Sequence, residues 1–255
     1  MAITEISLQG KCALVTGGSR GIGRAIALRL GEAGADVMVH YLHRRSAAEE
    51  TAAKIRAFGV EAKTIKANVA EEDDVLRLFE EIAKAWGRLD ILVSNAASGV
   101  LKPALEITPR HFHWTMDINA AAFLHLVQHA VKLMGEHGGK IVAVSSLGAV
   151  RALPYYTAVG ASKAAVESIV RHLAVELAPR RINVNAVSAA VVETDALKFF
   201  PNRDEMITHT RQHSPIGQLV EPRHIADAVL FLVSPLADSV VGHTLVVDGG
   251  YSIVA

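Results

Sequence analysis

Short apolar runs rich in β-branched residues alternate along the chain with longer stretches whose apolar residues recur every three or four positions. The short runs predict seven strands, at residues 12–16, 37–39, 62–67, 91–93, 141–144, 182–187 and 245–247. The longer stretches predict helices at about 22–33, 46–58, 71–86, 119–135, 155–178 and 222–234. Strands that alternate with helices favour a parallel sheet covered on both faces. We therefore expect a doubly wound α/β fold in a single domain spanning residues 1–255.

One long segment, about 188–220, has no clear strand character and contains Phe199-Phe200-Pro201. Long loops inside compact domains are usually functional. We predict that this lid segment closes over a ligand site. Its apolar side chains are expected either to cover a ligand or to pack as a helix.

The composition limits the classes of partner. With 255 residues, 51% of them hydrophobic, the chain can bury a sizeable core. The 26 basic and 26 acidic side chains balance, so we expect no nucleic acid or membrane partner and instead a small molecule. Cys12 is the only cysteine, and no signal peptide or membrane-spanning run is evident, so we predict a cytoplasmic protein. The histidine pairs lack acidic or cysteine partners, so no metal site is predicted.

A glycine cluster follows the first predicted strand and leads directly into a helix. It reads Thr16-Gly-Gly-Ser-Arg-Gly-Ile-Gly23, with glycines at 17, 21 and 23. Glycine at these points permits a tight turn and a close approach of the backbone to a pyrophosphate at the helix N-terminus. The cluster predicts a dinucleotide site in a Rossmann-type domain.

The end of the second predicted strand distinguishes between the two nicotinamide cofactors. NAD sites usually place a carboxylate there for the ribose hydroxyls, whereas NADP sites use arginine for the 2′-phosphate. This chain reads His40-Tyr-Leu-His-Arg-Arg45, without an acid, and Arg20 lies inside the glycine turn. We therefore predict NADPH, with Arg20 and either Arg44 or Arg45 on the phosphate.

Tyr156 and Lys163 form the strongest catalytic signal. Seven helical steps return the lysine to within about 20° of the tyrosine's direction, so both side chains are expected to face one site. A neighbouring ammonium favours the phenolate and lowers a tyrosine pKa from about 10. The spacing predicts Tyr156 as a proton donor that Lys163 makes more acidic.

Motifs in the same order along nearly the whole chain resemble the short-chain dehydrogenase/reductase superfamily. They are Thr16-Gly-x3-Gly21-x-Gly23, Asn68-Val69, Ser94-Asn-Ala-Ala97, Asn119, Ser145-Ser146, Lys163 and Val247-Asp-Gly-Gly250. Two positions depart from the usual pattern: Ala97 stands where glycine is common, and Ala189-Ala190 replaces Pro-Gly.

The resemblance implies roles position by position. Asn68 and Val69 would contact the adenine, Asn95 and Ala96 would line the cofactor groove, and Lys163 would hold the nicotinamide ribose. Asn119 would support the lysine through a bound water. The full set of expected cofactor contacts is Gly17, Ser19, Arg20, Gly21, Ile22, Gly23, Tyr41, Arg44, Asn68, Val69, Asn95, Ala96, Lys163 and Thr194.

The position of the tyrosine separates two branches of this superfamily. Most members place it four residues before the lysine, where this chain has Val159. Tyr156 instead matches the spacing of the enoyl-acyl-carrier-protein reductases, and Asn95–Val100, Trp114–Asn119 and Thr194–Arg203 resemble the NADPH-dependent type called FabL. That resemblance implies reduction of the trans-2 double bond of acyl thioesters in fatty acid biosynthesis, a carrier-protein substrate and a homotetramer. It also implies substrate contacts by Ala97, Tyr155, Tyr156, Leu197, Phe199 and Phe200.

The altered spacing also has a chemical reason. In a ketone the hydride and the proton go to atoms about 1.2 Å apart, whereas in a 2-enoyl thioester C3 and the carbonyl oxygen are roughly 3 Å apart. Moving a donor three residues along a helix shifts its anchor by about 4.5 Å. The spacing therefore favours an enoyl substrate.

Two alternatives remain open at this point. A carbonyl reductase of the same superfamily is favoured by Ser146, which occupies the position of the carbonyl-orienting hydroxyl. Ser146 is equally expected as a strand-end serine that bonds the backbone. Loss of the usual tyrosine is compatible with a noncatalytic NADPH-binding scaffold. Tyr155, about 80° from the direction of Lys163, is expected to pack or to contact substrate.

Overall fold

Seven parallel strands form one sheet in the computed structural model, which describes residues 6–254. The strands are β1 Cys12–Val15, β2 Asp36–Tyr41, β3 Ala62–Lys66, β4 Ile91–Ser94, β5 Gly139–Val144, β6 Ile182–Ala189 and β7 Thr244–Val247. Their order across the sheet is β3-β2-β1-β4-β5-β6-β7. The predicted seven strands and the doubly wound arrangement are confirmed.

Eight α-helices connect the strands or cover the sheet within the described residues. They are α1 Gly21–Glu32, α2 Arg45–Arg56, α3 Glu72–Trp86, α4 Pro109–Met116, α5 Ala122–Met134, α6 Thr157–Leu177, α7 Arg203–His213 and α8 Pro222–Val233. The sequence pattern predicted all of these except α4 and α7. Within residues 6–254, no helix is both long enough and apolar enough to cross a bilayer.

The two faces of the sheet bury separate apolar clusters. Successive strand residues point to opposite faces, so Ala13 and Val15 of β1 pack beneath α1, α2 and α8, whereas Leu14 packs on the other side. Phe123 of α5 is buried in this second cluster together with residues of α3 and α6. The near-continuous burial of β1 matches its uninterrupted apolar sequence.

The lid segment, residues 188–220, contains more regular structure than its sequence indicated. Strand β6 extends to Ala189, a short 3₁₀ helix covers Asp195–Phe199, and α7 follows. The helical alternative left open for this segment therefore holds for α7. Val192 pairs with Val220, which joins the two ends of the segment. Between them a small apolar cluster forms from Leu197, Ile207 and Leu219, with Val191 and Phe200 beside it.

Candidate active site

The glycine turn between β1 and α1 requires its glycines for two physical reasons. Gly17 and Gly21 have φ angles of 64° and 54°, in the left-handed region that favours glycine. A Cβ on Gly23 would lie 2.3 Å from the Gly17 carbonyl oxygen, so any side chain there would displace the turn. The turn thus brings the backbone into a conformation that a phosphate can approach closely.

The N-terminus of α1 offers its free N–H groups at this turn. Arg20 precedes the helix without a capping side-chain hydrogen bond, and the first turn contains no acidic residue. Uncapped N–H groups and the positive end of the helix dipole favour an anion. These features fit the pyrophosphate of a nicotinamide dinucleotide.

The predicted groove residues Asn95 and Ala96 brace the same turn. The Asn95 side-chain amide donates to the carbonyl oxygens of Thr16 at 2.9 Å and Gly17 at 3.3 Å. The Ala96 N–H donates to the Thr16 hydroxyl at 2.9 Å. The end of β4 therefore fixes the shape of the glycine turn, and a cofactor contact by these two residues stays a prediction.

His40 is a site residue that the sequence reasoning missed. Its Nδ1 accepts a hydrogen bond from the Gly17 N–H at 3.0 Å, and its Nε2 donates to the Ala67 carbonyl oxygen at 2.9 Å. Burial lowers the pKa of His40, which keeps the ring in the neutral form that can accept at Nδ1. A histidine at the end of an apolar strand was the only available signal. It links the glycine turn to the end of β3, where Asn68 follows.

The residues expected near the adenine and the 2′-phosphate have different environments. Asn68 forms a turn in which its N–H donates to Asp74 and its side chain accepts from the Ala70 N–H. Tyr41 packs in the core cluster beneath α1 and α2 with 8% of its surface exposed. Its contact with a cofactor, and those of Asn68 and Val69, stay predictions.

A cavity of about 420 Å³ lies between the ends of β5 and β6, the loop before α6 and the lid segment. Predicted catalytic and substrate residues meet in its wall, as do two predicted cofactor residues: Ser146, Tyr156, Leu197, Phe200, Ile22 and Thr194. Ala97, Tyr155 and Phe199 are not among its lining residues, and Phe199 is 69% exposed. Substrate contacts by these three residues stay predictions without support from the cavity.

Two neighbouring residues pack against the Tyr156 ring in this cavity. A Cβ on Gly148 would lie 2.4 Å from Tyr156 Cε1, so the ring lies directly on that glycine. The Phe200 ring of the lid segment stacks on Tyr156 with 5.8 Å between centroids. The Tyr156 hydroxyl donates to Ser146 Oγ at 3.3 Å. These contacts orient a phenol toward the Ser146 hydroxyl.

Ser146 bonds the backbone as a strand-end serine, and orientation of a substrate carbonyl by its hydroxyl stays a prediction. Its Oγ accepts from the Gly148 N–H at 3.2 Å, as a strand-end serine does, and also from the Tyr156 hydroxyl. Two hydroxyls therefore lie together in the cavity wall. Such a pair can donate to an oxygen atom on which negative charge develops.

The expected effect of Lys163 on Tyr156 was wrong. Tyr156 precedes the first residue of α6, with φ −108° and ψ 6°, so the helical rotation does not apply to it. Lys163 Nζ donates to the Val144 carbonyl oxygen at 2.7 Å. Burial raises the pKa of Tyr156, and only the hydrogen bond to Ser146 opposes this. The phenol consequently keeps its proton at neutral pH.

Lys163 is itself in an unusual environment. Burial lowers its pKa from 10.5 to about 8, against the opposing effect of Glu167. Glu167, one turn further along α6, is also buried and accepts a hydrogen bond from Ser145 Oγ at 2.5 Å. A buried ammonium and a buried carboxylate thus lie behind the Ser145–Ser146 strand end.

Asn119 makes contacts that its predicted role did not include. It lies in a π-helical turn, Asp117–Ala121, between α4 and α5. Its side-chain amide donates to the Ser98 carbonyl oxygen at 2.9 Å and to Ser162 Oγ at 2.8 Å, and its oxygen accepts from the Ser98 N–H. Asn119 joins the end of β4 to α6. Support of Lys163 through a water stays a prediction.

Val159, at the position of the usual tyrosine, does not line the cavity. Only 8% of its surface is exposed. A Cβ on Gly99 would lie 2.3 Å from Val159 Cγ2 and 3.2 Å from Thr115 Cγ2, so Val159 packs toward α4. The cavity therefore contains a phenol from Tyr156 and none from the usual position. In the part of the chain that the structure describes, no cluster of histidine, cysteine and acidic side chains is arranged to hold a metal ion.

Comparison with known proteins gives matches along almost the entire chain. The family model described as "Enoyl-(Acyl carrier protein) reductase" matches residues 17–252. The 1-cyclohexenylcarbonyl-CoA reductase of Streptomyces collinus is 42% identical, and the match covers 95% of this chain and 87% of that protein.

Solved structures with the same architecture include a ketoreductase and a hydroxysteroid dehydrogenase. The angucycline C-6 ketoreductase LanV with bound NADP has a TM-score of 0.90 and 40% identity, and the match covers 98% of each chain. A 7α-hydroxysteroid dehydrogenase complexed with NADH and 7-oxo-glycochenodeoxycholic acid has a TM-score of 0.90 and 35% identity, with 96% of this chain and 95% of that chain covered.

Proposed function

The chain belongs to the short-chain dehydrogenase/reductase superfamily, and we propose that it is an NADPH-dependent enoyl-thioester reductase. The observation that carries this proposal is the placement of Tyr156. Its hydroxyl, 3.3 Å from Ser146 Oγ, lies in the cavity wall, whereas Val159 at the usual tyrosine position is buried elsewhere. The protein is an oxidoreductase, and reduction of a carbon–carbon double bond is the specific activity proposed.

The reaction would be a conjugate reduction in which C3 of a 2-enoyl thioester gains hydride and C2 of the resulting enolate takes a proton from solvent water. The cofactor, held by the glycine turn and the N-terminus of α1, supplies the hydride when it is bound. Tyr156 donates a hydrogen bond to the thioester oxygen, where the enolate charge develops. Its raised pKa keeps the phenol protonated and disfavours full transfer of the proton, so stabilisation of the charge by the hydrogen bond is its role. Ser146 orients the phenol.

NADPH is supported by the charges beside the glycine turn. Arg20 and Arg44 extend from the residues that precede α1 and α2, and the end of β2 carries no acid. The structures similar to this chain include one with NADP and one with NADH, so similarity alone does not select the cofactor. The two arginines favour the phosphorylated form.

The names of the relatives agree with both an enoyl and a carbonyl substrate. 1-Cyclohexenylcarbonyl-CoA is a coenzyme A thioester with its double bond next to the carbonyl group, which is the bonding pattern proposed here. The tetrahydroxynaphthalene reductase of Pyricularia oryzae, 34% identical over 96% of this chain, and the ketoreductase LanV support carbonyl reduction as the second candidate. Ser146 is the residue that favours it.

A substrate panel tests the proposal. Purified protein is mixed with NADPH and either crotonyl-coenzyme A or acetoacetyl-coenzyme A, and NADPH oxidation is followed at 340 nm. Consumption with crotonyl-coenzyme A, and formation of butyryl-coenzyme A by mass spectrometry, is expected. Turnover of acetoacetyl-coenzyme A alone would establish the carbonyl reductase, and turnover of neither would favour the noncatalytic scaffold.

The carrier of the acyl group, the pathway and the assembly are the finer parts of the proposal. We propose acyl carrier protein as the carrier, fatty acid biosynthesis as the pathway, the cytoplasm as the location and a homotetramer as the assembly. A lower KM for crotonyl-acyl-carrier protein than for crotonyl-coenzyme A is expected. Light scattering on the purified protein should give four times 27.2 kDa.

A further inference from the structure

We propose that Asp195 of the lid segment competes with the cofactor's 2′-phosphate for Arg20 and Arg44, and so couples phosphate binding to the lid. This inference rests on the proposed cofactor, NADPH. It does not depend on which bond the enzyme reduces.

Three cationic side chains converge on the Asp195 carboxylate. Asp195 Oδ2 lies 3.6 Å from Arg44 Nη1 and 3.9 Å from Arg20 Nη1. The other oxygen, Oδ1, accepts a hydrogen bond from Lys198 Nζ at 2.7 Å. The two arginines lie just before α1 and α2, on the side of the groove where the cofactor is expected, which we call the cofactor edge. Lys198 belongs to the lid segment, as does Asp195. One carboxylate therefore bridges the two sides of the groove.

The two arginines pair with the Asp195 carboxylate at the place where we expect them to bind the cofactor's 2′-phosphate. Within residues 6–254, Asp195 is the one acidic partner that lies within 4.0 Å of either Arg20 or Arg44. Arg20 directly precedes α1 and Arg44 directly precedes α2, and neither side chain makes a capping hydrogen bond. These two guanidinium groups are the ones that the sequence assigned to the 2′-phosphate. A carboxylate and a phosphate would thus use the same donors.

The exposure of the three side chains makes the exchange feasible. Side-chain exposures are 40% for Asp195, 43% for Arg20 and 53% for Arg44, so water screens the pairs and each is weak. A phosphate monoester carries about −1.5 to −2 charges at pH 7, more than a single carboxylate. The 2′-phosphate should therefore displace the Asp195 carboxylate from the two arginines. Asp195 then keeps its hydrogen bond from Lys198.

The lid segment lies directly against the glycine turn at this point. A Cβ on Gly21 would lie 3.5 Å from Thr194 Cγ2, and Thr194 is the residue before Asp195. Thr194 also lines the cavity that contains Tyr156. Release of Asp195 removes the ionic attachment of the lid segment to the cofactor edge. Cofactor binding is thereby transmitted to the cover of the substrate cavity.

Cofactor binding without substrate provides the first test. Dissociation constants for NADPH and NADH are measured by fluorescence titration of the wild type, Asp195→Asn and a matched control, Asp204→Asn. Asp204 is an acid of the same segment, 90% exposed and paired with its neighbour Arg203. Asp195→Asn should tighten NADPH binding about three- to tenfold, the range for two exposed pairs, and change NADH binding less than twofold. The control should change neither.

Unchanged or weaker NADPH binding by Asp195→Asn would overturn the proposal. Equal tightening of NADPH and NADH would also overturn it, because the 2′-phosphate would then not be the competitor. Asp195→Asn should not tighten NADPH binding when it is introduced into Arg44→Ala, because the effect of Asp195 depends on its pairing with Arg44.

Limited trypsin proteolysis provides the second test. It is carried out with two fragments of the cofactor that lack the nicotinamide, 2′,5′-ADP and 5′-AMP. The fragment 2′,5′-ADP should speed cleavage after Lys198, Arg203 and Arg211 about threefold relative to 5′-AMP in the wild type. The two fragments should act alike in Asp195→Asn. Equal cleavage rates in the wild type would contradict the coupling. Because no reduction occurs, a negative result with crotonyl-coenzyme A would reject the proposed function and leave this test unaffected.

Discussion

At the scale of single residues, the site depends on a tyrosine that stands just ahead of a helix. The Tyr156 ring contacts Gly148 and Phe200, and its hydroxyl is oriented by Ser146. Packing therefore replaces the helical anchoring that a tyrosine four residues before Lys163 would have. Its raised pKa makes it a donor of a hydrogen bond and not a ready source of phenolate.

Replacement of Tyr156 by phenylalanine tests this role. The variant keeps the ring and its stacking on Phe200 but loses the donor, so kcat with crotonyl-coenzyme A should fall about 100-fold or more. The dissociation constant of NADPH should stay within twofold of the wild type. Steady-state kinetics and fluorescence titration measure the two quantities. Turnover at the wild-type rate would remove Tyr156 from the mechanism.

The low pKa of Lys163 predicts a change of stability with pH. The native pKa of about 8 lies below the ordinary value of 10.5, so between these values the unfolded chain holds a proton that the native state has lost. The free energy of unfolding should therefore rise between pH 8 and 10.5. Below pH 8 both states hold the proton, and the native state bears the full cost of burying the charged ammonium. The shift corresponds to a gain on the order of 3 kcal/mol.

Urea denaturation of the wild type and Lys163→Met at several pH values between 7 and 10.5 measures this effect. The variant should lack the gain, so its stability relative to the wild type should fall as the pH rises. The comparison cancels contributions that both proteins share, such as that of Cys12, whose pKa burial raises to about 11. If the difference in unfolding free energy between the two proteins does not vary with pH, burial does not lower the pKa of Lys163.

At the scale of elements, the lid segment is held together by very few apolar side chains. Leu197, Ile207 and Leu219 are buried within it, and Phe200 connects it to Tyr156. Regions with few buried contacts open more readily than the core. The lid segment should therefore respond to small changes without unfolding the whole protein.

Truncation of Ile207 to alanine should loosen this element. A buried isoleucine typically contributes about 2–5 kcal/mol, so the lid segment should open more often while the sheet stays folded. We expect a several-fold higher KM for crotonyl-coenzyme A and faster trypsin cleavage after Arg203 and Arg211. Thr208→Ala, an exposed neighbour on the same helix, is the control. An unchanged KM with a lower unfolding midpoint would show that Ile207 belongs to the global core instead.

At the scale of the whole molecule, stability comes from two apolar layers that enclose one twisted sheet. Phe123 is 1% exposed, within the layer of α3, α5 and α6. Phe123→Ala should lower the free energy of unfolding by about 3–5 kcal/mol. Phe58→Ala, at a position that is 48% exposed, should cost far less. Chemical denaturation of both variants makes the comparison, and equal losses would contradict the assigned core.

Prediction from sequence succeeded where local pattern and burial coincide. The inner strands β1, β4 and β5 are largely buried, and their apolar runs are visible without coordinates, whereas the edge strands β3 and β7 are partly exposed. Helices α4 and α7 were missed because each buries little. Only Thr115 is buried in α4, and only Ile207 and Thr210 are buried in α7. Helix α7 has only weak apolar periodicity, and α4 is eight residues long, which is too short for a periodic pattern to stand out.

The strands, the glycine turn and the candidate acid follow from the sequence alone, through apolar periodicity, the positions of the glycines and the resemblance to reductases with a tyrosine seven residues before the lysine. The surroundings of that acid depend on tertiary packing. The pKa of Tyr156 depends on burial of its ring, and Lys163 bonds Val144 because the end of β5 lies beside it. The meeting of Asp195 with Arg20 and Arg44 also joins residues distant in the chain. Such contacts and desolvation depend on how segments pack, which local sequence does not specify.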